Sequence, residues 1–211
     1  MNSLVDKIVR NAKTGIFTFT DVLSWGIGSR ESLRVLVSRA MASGDVKQVR
    51  RGLYCLSREL SPVLPNPLVL ANHIYGPSYV SMESALEFHN WIPEAVYNVT
   101  NVTNSRCRRF ETDFGVFSYE CIKQTTMMAG VDRMEDPSGT FFVAHPLKAL
   151  CDLVAARRQD WTSVEPLIES LRIEGESLDS LTAGDFDLLA DKYYSKRVGR
   201  FLAGVRKELG L

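Results

Sequence analysis

Arg30, Arg34, Ser38 and Arg39 recur along one helical pattern, and Lys47, Arg50 and Arg51 cluster around a Gly-marked hairpin tip just after it. Side chains of these types hold a polyanion through charge and hydrogen bonds; their spacing makes and breaks no covalent bond. Between Met1 and Cys55 the sequence carries nine Lys or Arg against four Asp or Glu, while the remainder carries 16 against 21. A chain of net charge zero that gathers its positive charge on one small module offers that module to a phosphate backbone.

At about 100° per residue, Leu33, Val37 and Ala40 fall together as the core face of the helix. Opposite them lie Glu31, Val35, Ser38 and Ala42, with Arg34 and Arg39 at the margins. A slim outer face between long donors suits the major groove, which is about 12 Å wide. Arg34 would pair with a guanine edge, Ser38 with a base or phosphate, and Val35 with a thymine methyl. Arg30, in the first turn, and Arg39 suit phosphates, and the hairpin cations Lys47, Arg50 and Arg51 suit an adjacent groove or backbone. The bland alternatives are a solvated helix face and a hairpin whose charges protect an edge strand.

Constellations that would do bond chemistry are weaker. Gly26-Ile27-Gly28-Ser29 is not the Gly-x-Ser-x-Gly elbow of a hydrolase, and no Gly-Lys-Ser/Thr phosphate loop occurs. Asp185 and Asp187 form an acidic pair without the Gly-Ser of a nucleotidyltransferase, and Asp185 reads better as a first-turn helix acid. The most serious enzymatic alternative is a nuclease built on Asp113, Glu120 and Lys123. Two residues separate Glu120 from Lys123, so on a strand they would point to opposite faces unless a bulge intervenes. Glu83 and Glu87, one helical turn apart, would be a partner-binding or catalytic pair or a solvated acidic edge. Arg106, Arg108 and Arg109 form a basic cluster between two strands, and Arg157-Arg158 another at a helix end; both read as phosphate contacts or solvated charges.

The four cysteines (Cys55, Cys107, Cys121, Cys151) and three histidines (His73, His89, His145) lack CxxC or CxxH spacing. No zinc site and no cofactor are expected, and the cysteines are expected reduced and mostly packed as small hydrophobes. No apolar run approaches a membrane span, and the N-terminus lacks a signal-peptide core, so a cytoplasmic location with no membrane partner is expected.

The elements that position the basic residues follow from local signals. Leu4, Val5, Ile8 and Val9 predict a first helix to about Asn11. Thr20 or Thr18 would cap a second through Leu23 and Trp25, Gly26-Ile27-Gly28 makes a tight turn, and Ser29 caps a third to about Ala42, ended by Gly44. Val46–Arg50 and Leu53–Leu56 flank Arg51-Gly52 as a β-hairpin. Helix, helix, turn, helix and basic hairpin is the order of a winged helix-turn-helix.

The segment 58–66, with Pro62 and Pro65, reads as a linker. Beyond it come a helix from Leu68 to Ile74, another capped by Ser81 from Met82 to His89, and strand-like texture from Ala95 to Val143. Tyr79, Trp91 and Tyr97 are expected in its core. Helices return over 146–156, 164–172 and 186–209, the last in one piece or two. The fold class is α+β: a winged helix over 1–57, then a mixed α+β domain over 67–211 with several helices at the C-terminus.

Four stretches carry a family likeness: RRGLYCLS (50–57), YGPSYVSMESALEFHNWIPEAVYNVTNVT (75–103), FETDFGVFSYECIK (110–123) and HPLKALCDLV (145–154). Together they resemble AbiEi-type antitoxins, the regulator halves of abortive-infection toxin–antitoxin pairs in phage defence, over about Leu4 to Val154. The resemblance implies an N-terminal winged helix that binds inverted repeats of double-stranded operator DNA and represses transcription of its own operon. It also implies a C-terminal domain that counteracts a nucleotidyltransferase-like toxin, without a necessarily stable complex, and no catalysis. A winged-helix-targeted nuclease and a protein-interaction module stand as the alternatives.

Overall fold

Leu4, Val5 and Ile8 bury one stripe of the first helix, α1 (Ser3–Asn11), while Val9, on its margin, stays exposed. The structure, a computed structural model, describes residues 3–26 and 28–211. A short strand unforeseen from sequence, β1 (Ile16–Thr18), follows. Helix α2 (Phe19–Ser24) starts on a capping box: Thr18 Oγ1 accepts from the Asp21 amide at 3.1 Å, and Asp21 accepts from the Thr18 amide at 2.7 Å. Of the two threonines expected to cap, Thr18 does so. The turn expected at Gly26-Ile27-Gly28 includes Ile27, which lies outside the described residues.

Helix α3 (Arg30–Ala42) is capped by Ser29, as its sequence requires, and buries Leu33, Val37 and Ala40. Strands β2 (Val46–Arg50) and β3 (Leu53–Leu56) form the hairpin, and β1 joins to give the sheet order β1-β3-β2. Gly52 holds the turn at φ +85°, a conformation open to glycine at little cost. The register slips between Gln48 and Arg50, a bulge absent from the sequence reading. Strict alternation would turn Val49 outward; the bulge returns it to the core and leaves both Lys47 and Arg50 exposed. Phe17, Val22 and Tyr54 pack with the α1 and α3 stripes as one core.

The chain divides into two compact units, the first comprising Met1–Ile74 with 112–114 and 135–140, the second the remainder. Helix α4 (Pro67–Ile74) ends the main run of the first unit. Asn66, just before it, is pinned by donating its amide to Ser138 Oγ at 3.0 Å and its side-chain nitrogen to Asp136 at 2.9 Å.

The rest of the chain supplies β4 (Ser78–Val80), α5 (Met82–Phe88), β5 (Asn98–Thr103), β6 (Arg108–Thr112), β7 (Gly115–Cys121), β8 (Val131–Asp136) and β9 (Gly139–Ala144), of which Thr112, 135–136 and 139–140 belong to the first unit. The six strands lie in the order β6-β7-β5-β4-β9-β8. Within this sheet β4 runs antiparallel to β5 but parallel to β9, and β5 runs parallel to β7. Then come α6 (Pro146–Arg157), α7 (Glu165–Leu171), α8 (Gly175–Asp179), α9 (Ala183–Leu189) and α10 (Lys196–Glu208). The expected last helix is therefore two, α9 and α10. Every residue of α6 from Pro146 to Val154 is buried, which makes it the central helix of the second unit. Helix α10 passes so close to Thr162 that a Cβ at Gly204 would stand 1.8 Å from the Thr162 carbonyl oxygen. Among the described residues no helix is long and apolar enough to cross a membrane.

Candidate nucleic-acid interface

All eight residues singled out for a nucleic-acid contact are exposed: Arg30, Arg34, Val35, Ser38, Arg39, Lys47, Arg50 and Arg51. The outer ridge of α3 (Glu31, Val35, Ser38, Ala42) is open along its length, and Val35 keeps half its surface in solvent. Arg30, Arg34, Val37 and Met41 follow one another at i, i+4, i+7 and i+11, so they line the side of α3 that faces the hairpin. With Phe19, Thr20, Arg51, Gly52 and Tyr54 they bound a groove of about 620 Å³. Three guanidinium-bearing residues from two elements thus converge on one concavity. Arg39 and Ser38 lie away from it, on the ridge and its far margin, and Lys47 and Arg50 on β2.

The groove wall is held in place by the backbone. The Phe19 amide donates to the Gly52 carbonyl at 3.0 Å, which ties the hairpin turn to the start of α2. Ring contacts of Phe17 with Tyr54 (5.7 Å) and Trp25 (6.3 Å) brace the same corner from inside.

The cations here differ from several of those in the second unit in what they touch. There, Arg157 pairs with Glu83 at 3.3 Å, Arg172 with Glu94 at 3.1 Å, Arg197 with Asp160 at 2.8 Å and Arg206 with Asp187 at 2.6 Å. Among the described residues no ion pair of this kind holds Arg30, Arg34, Arg39, Lys47, Arg50 or Arg51. An array of solvated guanidinium and ammonium groups lets a polyanion displace counterions without first breaking internal pairs.

Residues 4–57 match the family described as transcriptional regulator, AbiEi antitoxin. The match spans α1 through the hairpin, the elements that carry the eight exposed residues, and over this segment it bears out the family expected from the sequence. It ends well before Val154, the limit expected from the sequence. No curated protein matches the chain.

In the second unit the structure assembles a buried polar cluster that the sequence reading missed. Asp152, at the heart of α6, accepts four hydrogen bonds. Tyr79 and Ser81 hydroxyls donate to Oδ2 at 2.8 and 2.7 Å; Tyr193 hydroxyl and Gln124 Nε2 donate to Oδ1 at 2.7 and 3.1 Å. Lys148, one turn earlier and fully buried, donates to Gln124 Oε1 and to the Tyr193 hydroxyl, and stands 3.7 Å from Asp152. Its ammonium also lies over the Tyr79 and Tyr193 rings, 5.2 and 4.7 Å from their centroids. Ser81 precedes α5 as expected, but its hydroxyl serves Asp152 and makes no cap. A Lys and an Asp four residues apart inside an otherwise apolar helix were the visible signal.

Burial, and then the Asp152 charge, holds the phenols of Tyr79 and Tyr193 well above their ordinary value of 10.0. A raised value in the fold means the unfolded chain loses these protons first, so their stabilisation is complete below pH 10 and drains as pH climbs beyond it. Each phenol should steepen the alkaline loss of stability by up to about 1.4 kcal/mol per pH unit. Burial lowers Lys148 from 10.5, which works in the opposite sense as pH rises toward that value. Urea midpoints measured above pH 10 for wild type and for Tyr79→Phe with Tyr193→Phe separate the two. The double variant should show the shallower decline, and equal slopes would contradict the assignment.

Other sequence expectations need correction. Trp91 and Tyr79 are core residues, but Tyr97 is 91% exposed, on the loop before β5. Arg108 and Arg109 lie on β6 itself, and Arg109 pairs with Glu111 at 3.3 Å, both side chains mostly exposed. Glu83 pairs with Arg157, while Glu87 lines a separate groove of about 420 Å³ with Trp91, Glu94 and Arg172. The cysteines divide evenly: Cys55 and Cys151 are buried, Cys107 and Cys121 exposed at the β6–β7 end of the sheet. His89 and His145 come together at 6.3 Å, yet among the described residues no group of three His, Cys, Asp or Glu could hold a metal ion.

Glu120 and Lys123 do not oppose each other across a strand as expected. β7 ends at Cys121, so Lys123 lies beyond it and lines the same groove as Glu120. Asp113 sits in the turn before β7 and Glu120 near the strand's far end; the five strand steps from Gly115 to Glu120 alone span about 17 Å, too far to share a metal ion. Asp185 completes a capping box with Thr182 at the start of α9, consistent with a helix acid.

Proposed function

We propose that the protein is a DNA-binding regulator of antitoxin type, which binds double-stranded operator DNA through α3 and the β2–β3 wing. The observation that carries this reading is the solvated basic groove between helix and wing, lying within the segment that matches the antitoxin regulator family. The ridge of Val35 and Ser38 enters the major groove with Arg34 on a guanine edge. Arg30 and Arg39 hold phosphates on either side, while Lys47, Arg50 and Arg51 follow the backbone beside the wing. We assign the reader domain to residues 1–57, a linker to 58–66 and an effector domain to 67–211, although α4 groups with the first compact unit.

On this reading the protein works in the cytoplasm, binds inverted repeats upstream of its own operon and represses it. Its second domain counteracts a nucleotidyltransferase-like toxin functionally, without a necessarily stable complex. What supports this second role is the resemblance of the motifs at 75–103, 110–123 and 145–154 to such antitoxins; the family match itself ends at residue 57.

The test is a mobility-shift titration on the upstream region. Arg34→Ala should lower discrimination between operator and unrelated DNA, because a lost bidentate base contact is worth about 1–3 kcal/mol at one position. Arg51→Ala should weaken binding to every sequence alike. Two variants that bind as wild type would refute the contact face. Relief of toxicity on co-expression with the neighbouring gene tests the antitoxin role separately.

A further inference from the structure

Cys107 lies just before the edge strand β6, and Cys121 closes the neighbouring strand β7. Both are exposed, and the Cys121 amide donates to Cys107 Sγ at 3.2 Å, so the two residues sit side by side across the hairpin. They open onto a groove of about 440 Å³ that Glu120, Lys123, Arg158 and Tyr194 also line. Small oxidants therefore reach both sulfurs from solvent.

We propose that Cys107 and Cys121 are a redox modification site, which a peroxide-class oxidant converts to an intramolecular disulfide and a thiol reverses. With Cys107 Sγ 3.2 Å from the Cys121 nitrogen, it lies within about 4.7 Å of the Cys121 Cα, so side-chain rotation brings the two sulfurs toward the ~2.05 Å of a disulfide bond. The chemistry balances in two steps. One thiolate attacks a peroxide oxygen, the O–O bond breaks, and sulfenic acid and water form. The second thiol attacks that sulfur, the S–S bond forms, and the sulfenic oxygen leaves as a second water. Two electrons and two protons pass from the cysteine pair to one hydrogen peroxide.

The other two cysteines supply an internal contrast. Cys55 and Cys151 are buried, and burial pushes the Cys55 thiol up to about 12 and Cys151 well above its ordinary range. The bond would cross-link the base of a hairpin at the open edge of the sheet, where β6 has only β7 as a neighbour. Oxidation should then slow amide exchange in β6.

The experiment treats the reduced full-length protein with hydrogen peroxide, alkylates the remaining thiols and maps the products by mass spectrometry. The expected product is lighter by two hydrogens, carries a Cys107–Cys121 cross-linked peptide, leaves Cys55 and Cys151 unoxidised, and reverts with dithiothreitol. In Cys107→Ser and Cys121→Ser the remaining exposed cysteine should stop at sulfenic acid, over-oxidise or link two molecules. The proposal is overturned if wild type keeps both thiols free. It is equally overturned if the two cysteines over-oxidise independently, at the rates seen in the single-serine variants.

Discussion

Replacing Asp152 with Ala should destabilise the second unit by about 3–5 kcal/mol, the range for stripping a buried charge of its partner. The loss belongs at the upper end because Asp152 answers four donors: Tyr79, Ser81, Gln124 and Tyr193. Without the carboxylate these donors lose their shared acceptor, and the Lys148 ammonium, wholly buried, faces no anion. Lys148→Met is the informative comparison. It removes the cation and leaves the carboxylate with all four of its hydrogen bonds, so it should cost on the order of 2 kcal/mol less than Asp152→Ala. Combining Lys148→Met with Asp152→Leu should recover part of the Asp152 loss, since an apolar pair of similar volume leaves no unpaired charge. Urea unfolding followed by far-UV circular dichroism reads all three. Equal losses for the two single variants would show that the cluster is an ordinary ion pair and that Asp152 is not its hub.

What the sequence made legible was whatever has its cause within a few residues. Ser29 caps α3, Gly52 turns the wing, and Leu33, Val37 and Ala40 mark a buried stripe, each visible because helix and hairpin signals are local. The exposed basic face followed from the same periodicity. The elements that escaped have distant causes. Ser78-Tyr79-Val80 is a strand because β5 and β9 flank it, and three residues carry no period of their own. Strand β8, at the sheet edge, has acids and an arginine where an apolar alternation would show. The bulge at Val49 changes register without changing composition. The cluster around Asp152 draws Tyr79, Gln124 and Tyr193 from three separate segments, so only its Lys148–Asp152 spacing was readable in advance. Tyr97 failed for the opposite reason: an aromatic type implies burial on average, and its loop position overrides that average.

The second large effect concerns the basic groove. Arg30, Arg34 and Arg51 line one concavity from two elements, and among the described residues no ion pair of the kind seen in the second unit competes for them. Changing all three to Ala should weaken operator binding by on the order of 3 kcal/mol or more, at least a hundredfold in Kd. Fold stability should change little, because all three side chains are exposed. The variant therefore separates loss of recognition from loss of structure, and circular dichroism of the same sample serves as the control.

The most direct measurement is the salt dependence of binding to the upstream region, made with wild type and this triple variant. Each phosphate contact contributes about 0.9 to the slope of log K against log salt on duplex DNA. Wild type should show a steep negative slope, and the variant a shallower one at every concentration, with the difference reflecting the phosphate contacts removed. A wild-type slope near zero, or identical slopes for the two proteins, would contradict the claim that α3 and the wing form a duplex-binding surface.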